Sequence, residues 1–268
     1  MYHSLTFYET YQTPYGDGGV NTYEDFHLIP STSMPRPVFD PPSVKTQTID
    51  IPGADSYIDL SEALTKYPVY NNRQGSIEFI VLNGYEDWQK LYSRIMNYLH
   101  GRTKRVVMED DPGYFYEGRF KVNKWKSNND GTWSNITIDY DVQPYKLEIN
   151  DTLDDWLWDP FNFDTGITLS DVYSNIVIDS DVYVSKTFTE SVKRKPISPE
   201  IEVHTTNSEG MTIQFINPEL DIDQTVVFGD GISYSPDFVM TNFSGSNVIT
   251  MNFMGHGTVS MRFRNGEL

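Results

Sequence analysis

Glu109, Asp110 and Asp111 stand side by side in LHGRTKRVVMEDDPGYFYEGRF, residues 99–120, between an apolar run and an aromatic one. Carboxylates in a row are what acid–base catalysis or a hard divalent cation would use. Neighbouring residues of an extended chain point to opposite faces, however, and the next two residues are Pro112 and Gly113. Proline fixes a negative φ and glycine accepts either sign, which suits the two central positions of a turn. The stretch therefore reads as a hairpin turn centred on Pro112-Gly113, with the acids at its tip. The residues after it alternate, sending Tyr114, Tyr116 and Phe120 to one face and Phe115, Glu117 and Arg119 to the other.

Other chemistry is sparse. The chain has no cysteine, which removes disulfides, thiolate metal sites and cysteine nucleophiles. His3, His27, His100, His204 and His256 show no HxxxH or HxH spacing, so no metal site is expected. In the nearest approach to a calcium loop, SNNDG, Lys126 takes the first ligand position and Thr137 that of the closing glutamate. No GxSxG, Walker or GxGxxG pattern is present, and neither a catalytic residue nor a cofactor is nominated. Trp156, Trp158, Phe161 and Phe163 admit two readings: a sugar-stacking platform, or core residues at a domain junction. The first makes the chain a carbohydrate-binding or lectin-like module, with a glycosidase function attached to it at most.

The elements that would position these residues are mostly strands. With 268 residues, 38% apolar and 14% aromatic, the chain can bury one large or two ordinary cores, and its aromatic content leans toward β-structure. The net charge of −18 argues against a phosphate-gripping surface. Residues 151–268 hold 18 acidic against 6 basic side chains, so the halves differ. The division expected is 1–148 and 149–268. No apolar run is long enough to span a bilayer, and the start lacks a leader pattern, so a chain made in the cytoplasm without membrane insertion is expected.

One helix is predicted in NGYEDWQKLYSRIMNYLHG, capped by Asn83 with Glu86 and closed by Gly101, its apolar face formed by Trp88, Leu91, Tyr92, Ile95 and Leu99. LTFY, TQTIDIPG and SIEFIVL read as strands. The proline-dense segment MPRPVFDPPSVK, residues 34–45, can be neither helix nor central strand. It is either a surface connection or an arm laid on a neighbouring subunit, and Pro35, Pro37, Val38, Phe39 and Pro41 are its contact candidates. YFYEGRFKVNKWK and TWSNITIDYDV pair as a hairpin if Lys126 faces Thr132; Gly118 then faces Tyr140, a ring covering a bare backbone. Beyond residue 150, MTIQFI, NVITMNF and GTVSMRFR are three strand patterns between turn signals, which suggests an antiparallel sandwich.

The order IPGADSYIDLSEAL, YNNRQGSIEFIVL, WQKLYSRIMNYLHG, EDDPGYFYEGRF, ITIDYDVQPYK and WLWDPFNFDTG resembles the distal tail protein (Dit) family of siphophages and prophages of Gram-positive bacteria, over roughly residues 20–165. NTYEDFHLIP resembles that family's early Tyr-x-Asp-Phe segment, with two departures: the long YETYQTPYGDGG stretch, and His27 where a small residue is usual. The resemblance implies a mainly β protein without enzymatic activity. Its N-terminal domain would close into a hexameric ring around a DNA channel, and its C-terminal domain would be a galectin-like β-sandwich. The implied partners are the tail tube protein, the tail-associated lysin or tip protein and receptor-binding proteins, at the distal end of the virion tail. Asp110, Asp111, Pro112, Gly113 and Tyr114 become candidates for ring contacts.

Overall fold

A computed structural model describes residues 3–12, 18–81, 88–127, 133–153, 161–162, 167–168, 172–188, 195–241 and 248–268. In chain order the elements are β1 (Leu5–Glu9), β2 (Val20–Asn21), β3 (Leu28–Pro30), β4 (Thr48–Asp50), β5 (Tyr57–Asp59), β6 (Arg73–Val81), α1 (Trp88–Leu99), β7 (Arg102–Met108), β8 (Asp111–Ser127), β9 (Ser134–Val142) and β10 (Lys146–Glu148). They continue as β11 (Phe161–Asn162), β12 (Ile167–Thr168), β13 (Ile176–Phe188), β14 (Glu200–His204), β15 (Met211–Asn217), β16 (Ile222–Phe228), β17 (Gly231–Tyr234), β18 (Ile249–Arg262) and β19 (Gly266–Glu267). The fold is mainly β with one described helix, as the sequence predicts. That helix is too short to cross a membrane. The chain divides into two compact units, residues 1–45 with 70–149, and residues 46–69 with 150–268.

In the first unit the strands run in the order β2-β1-β7-β8-β9-β6-β3, antiparallel throughout, and β10 adds to β8. Leu91, Ile95 and Leu99 are the buried face of α1, set against a core that includes Phe7, Phe79, Val106, Phe120, Ile136 and Ile138. Gly101 follows the helix at φ 74, the left-handed conformation a glycine cap supplies without a Cβ clash. The proposed cap residues Asn83 and Glu86 lie outside the described residues. His27, at φ 53, occupies a conformation that a small residue adopts more readily.

The β8–β9 hairpin forms, but two residues away from the expected register: Gly118 faces Val142, Phe120 faces Tyr140 and Val122 faces Ile138. A bulge between Val122 and Lys124 then shifts the strand again, so that Trp125 faces Ile136. Up to the bulge a shift of two leaves each side chain on its expected face, and beyond it Trp125 takes the core face that the expected register gave to Lys124 and Lys126. Tyr140 does cover a glycine, but it is Gly75 on β6, its partner on the other side.

The second unit is built on one bent sheet. Met251 has Lys186 of β13 on one side and Phe215 of β15 on the other, while Val259 has Ile176 and Val203 of β14. β14 and β15 therefore lie end to end along one edge of β18, with β17 and β16 end to end outside them. All the interruptions fall in one line: residues 181–183 of β13, Gly255–Gly257 of β18, 205–210 between β14 and β15, and 229–230 between β16 and β17. This line is a crease. The sheet curls about it to enclose Ile178, Val203, Ile213, Phe215, Met251, Phe253, Val259 and Met261. Hence the two expected strands NVITMNF and GTVSMRFR are one strand, bent at Gly255-His256-Gly257.

Glycine is required at the crease because neighbouring carbonyls fill the space of a Cβ. An atom added at Gly257, φ 146, would meet the His204 oxygen at 2.1 Å, and one at Gly210, φ 78, the Phe228 oxygen at 2.5 Å. Gly229 has no such neighbour within 4 Å. Gly257→Ala should destabilise the protein by about 2 kcal/mol or more and Gly229→Ala by less than about 0.5 kcal/mol, read from thermal unfolding.

Candidate functional site

The carboxylates at 109–111 sit where β7 turns into β8, but the turn differs from the expected one. Met108 pairs with Asp111, so Glu109 and Asp110 are the turn, and Pro112-Gly113-Tyr114 follow in a bulge before Val107 pairs with Phe115. The bulge accommodates a proline that cannot donate to a ladder, and its geometry serves β10: Glu148 pairs with Tyr114, and the Ile149 amide donates to the Gly113 carbonyl at 3.1 Å.

Each acid has its own partner. Glu109 Oε2 accepts from the Ser4 amide (2.8 Å) and hydroxyl (3.1 Å). Asp110 is bound by His3 Nδ1 at 2.7 and 2.8 Å. Asp111 Oδ2 meets Lys146 Nζ at 2.7 Å, and that ammonium also lies 4.1 Å from the centre of the Tyr114 ring. Three neighbouring carboxylates thus diverge toward β1 and β10 instead of converging on a reacting atom or an ion. Among the described residues no group of three or more His, Asp or Glu is placed to hold a metal.

The proline-dense segment lies on its own unit. Pro37 and Phe39 are buried, and the Phe39 ring packs against Tyr116 (4.5 Å), Tyr140 (4.6 Å) and Phe120 (6.5 Å). The Tyr140 hydroxyl accepts from the Asp40 amide at 2.9 Å, and burial raises the pKa values of both Tyr116 and Tyr140. Arg73, only 5% exposed, donates through Nε to the Pro144 carbonyl (2.8 Å) and through Nη1 to those of Asp40 (3.2 Å) and Phe39 (3.4 Å). The segment is thus fastened to its own unit, and of its five contact candidates Pro35, Val38 and Pro41 are exposed.

Trp156, Trp158 and Phe163 lie outside the described residues. Phe161 opens β11, whose backbone pairs it with Thr168 of β12. A polar depression of about 440 Å³ is lined by Tyr70, Asn71, Asn72, Gln74 and Asp141 among others. Its acid is already occupied: Asn72 and Gln74 donate to the two Asp141 oxygens at 2.7 and 2.8 Å.

One surface that the chemistry-first reading passes over is the β4–β5 hairpin. Every residue from Thr46 to Asp59 is exposed, and Ile49 (49% exposed) stands opposite Ile58 (47%). Alternation places the two isoleucines on one face and Asp50 and Asp59 on the other. Ile51 and Leu64 (96%) add to the exposed apolar surface. Ser61 fixes the end of the ribbon by donating its amide and hydroxyl to Asp59, which lowers that carboxyl's pKa. The signal in the sequence is TIDIPGADSYID, a short hairpin that pairs with no further strand among the described residues.

If the 109–111 carboxylates are fasteners, Asp110→Asn with Asp111→Asn should cost about 1 kcal/mol or less, visible as a fall of a few degrees in Tm.

No protein-family profile and no curated protein sequence matches the chain. A solved structure does: the crystal structure of the Dit protein of phage SPP1, at 13% identity and a TM-score of 0.54, over 98% of this chain and 99% of that one. That protein is described as a paradigm of the hub adsorption apparatus in phages that infect Gram-positive bacteria. Over nearly its whole length, both units included, this chain has the fold of the SPP1 Dit protein.

Proposed function

We propose that this chain is a distal tail protein, the structural hub at the end of a phage tail. In this reading copies of an N-terminal domain, residues 1–148, close into a hexameric ring between the tail tube and the tail-associated lysin or tip protein. The second, a galectin-like domain from 149 onward, faces outward toward receptor-binding proteins. The observation that carries the reading is the shared fold across 98% of the chain, because a fold conserved over both units argues for a shared architecture and not one borrowed module. The order of sequence motifs points to the same family independently of that fold.

Two physical features support assembly and passage of DNA. The β4–β5 ribbon exposes two paired isoleucines, and contiguous exposed apolar surface marks interaction sites. A net charge of −18 suits a channel wall that repels phosphate and lets DNA slide. The role is structural, and the 109–111 acids serve as fasteners. Ile49→Asp with Ile58→Asp should leave thermal unfolding nearly unchanged, since both residues are exposed, while shifting the solution mass from an oligomer toward a monomer. An unchanged oligomer would remove the ribbon from the interface, and a wild-type protein that is monomeric at every concentration would count against the ring.

A further inference from the structure

His256 stands on the crease of the second unit, between Gly255 and Gly257. Its Nδ1 lies 2.6 Å from Asp179 Oδ1 and its Nε2 lies 3.0 Å from Asp181 Oδ1. A carboxylate only accepts, whereas a neutral imidazole has one N–H and one lone pair. Both contacts are hydrogen bonds only when both ring nitrogens carry protons. The geometry is that of an imidazolium.

Its place in the sheet gives this a mechanical meaning. Asp179 pairs with His256 in the ladder, but Asp181 lies in the bulge where the β13 register slips between Ser180 and Val184. The bulge has few other ties: the Ser180 hydroxyl accepts from the Val182 amide at 3.2 Å and donates to the Val182 carbonyl at 2.9 Å. On the opposite side the Thr205 hydroxyl donates to the His256 carbonyl at 2.6 Å, and the Thr205 amide donates to Asp230 at 2.9 Å. One residue thus links β13, β18 and the connection from β14 to β15 where the sheet bends.

We propose that the His256 imidazolium is a proton-dependent clasp on this crease, holding the β13 bulge against β18 when protonated and releasing Asp181 when neutral. Asp181 is the arm released, because its contact is the longer one and its backbone is outside the ladder, while Asp179 stays in register. Hydrogen bonds donated to Asp179, first, and to Asp181 raise the ring's proton affinity. A histidine pKa raised on folding contributes stability below its unfolded value that is lost as pH rises through the folded one. The clasp therefore opens on the alkaline side of the ordinary histidine range. The charged groups on the flanking elements are Asp179 and Asp181 of β13, Asp230, and the Glu202–His204 pair of β14, whose atoms are 3.3 Å apart. The acids outnumber the second histidine, so they keep the field at His256 favourable to its proton. The clasp belongs to one chain and operates whether or not copies assemble.

The test is hydrogen–deuterium exchange of the full chain, following peptides that cover residues 176–188 and 249–262 at about pH 5.5 and about pH 8.5, with rates corrected for intrinsic exchange. The wild type should lose protection in both peptides at the higher pH. His256→Gln and Asp181→Ala should show the lower protection at both values, and circular dichroism should show them folded. Wild-type protection that does not change between the two values overturns the proposal, as does a pH-dependent loss that persists in both variants.

Discussion

A lysine ammonium with no access to solvent organises the first unit. Lys104 projects inward from β7, and an unpaired charge there would cost several kcal/mol. The Glu9 carboxylate from β1 binds it, and the Tyr98 ring of α1 lies 3.7 Å away along the cation–π direction. Tyr98 in turn donates its hydroxyl to the Phe7 carbonyl at 3.0 Å. Burial and the nearby Glu9 charge push its pKa up to about 12, so the ring stays neutral and its face stays available to the ammonium. Three elements are fixed by one charge. With β1 held on β7, residues 3 and 4 come within reach of Glu109 and Asp110 at the far end of the same strand pair.

The same economy recurs in the polar groups that first looked chemical. Glu109, Asp110, Asp111 and Asp141 all end on donors of their own unit, and buried Arg73 serves backbone carbonyls. In a chain with 38 acids, fastening is the common use of a carboxylate and convergence is the exceptional one. The second unit relies on steric exclusion instead: Gly210, Gly255 and Gly257 let backbones approach at the crease, and the core closes between the two halves of a single sheet.

Local chemistry made much of this legible in the sequence. The apolar period of α1, the glycine after it, the alternation along β8 and β9, and the inability of residues 34–45 to form a helix all follow from side-chain type. What escaped was set by distant partners. The β8–β9 register depends on a bulge at Asn123 and on β6, which brings Gly75 under Tyr140. Pro112-Gly113 has the composition of a turn, yet the pairing demands of β10 make it a bulge, and Gly255-His256-Gly257 has that composition yet bends one strand. Phe39 looked like surface among prolines because nothing in its neighbourhood announces the Tyr116–Tyr140 slot that receives it. In the β4–β5 ribbon the first strand was readable from TQTIDIPG, whereas its pairing with Tyr57–Asp59 and its exposure depend on the rest of the fold.

The central claim is that this chain builds a ring at the end of a phage tail. Negative-stain electron microscopy of the purified full-length protein tests it most directly. The account predicts six-fold rings with an open, stain-filled centre. A uniform field of compact single subunits, unchanged when the tail tube and tail-tip proteins are supplied, would contradict it.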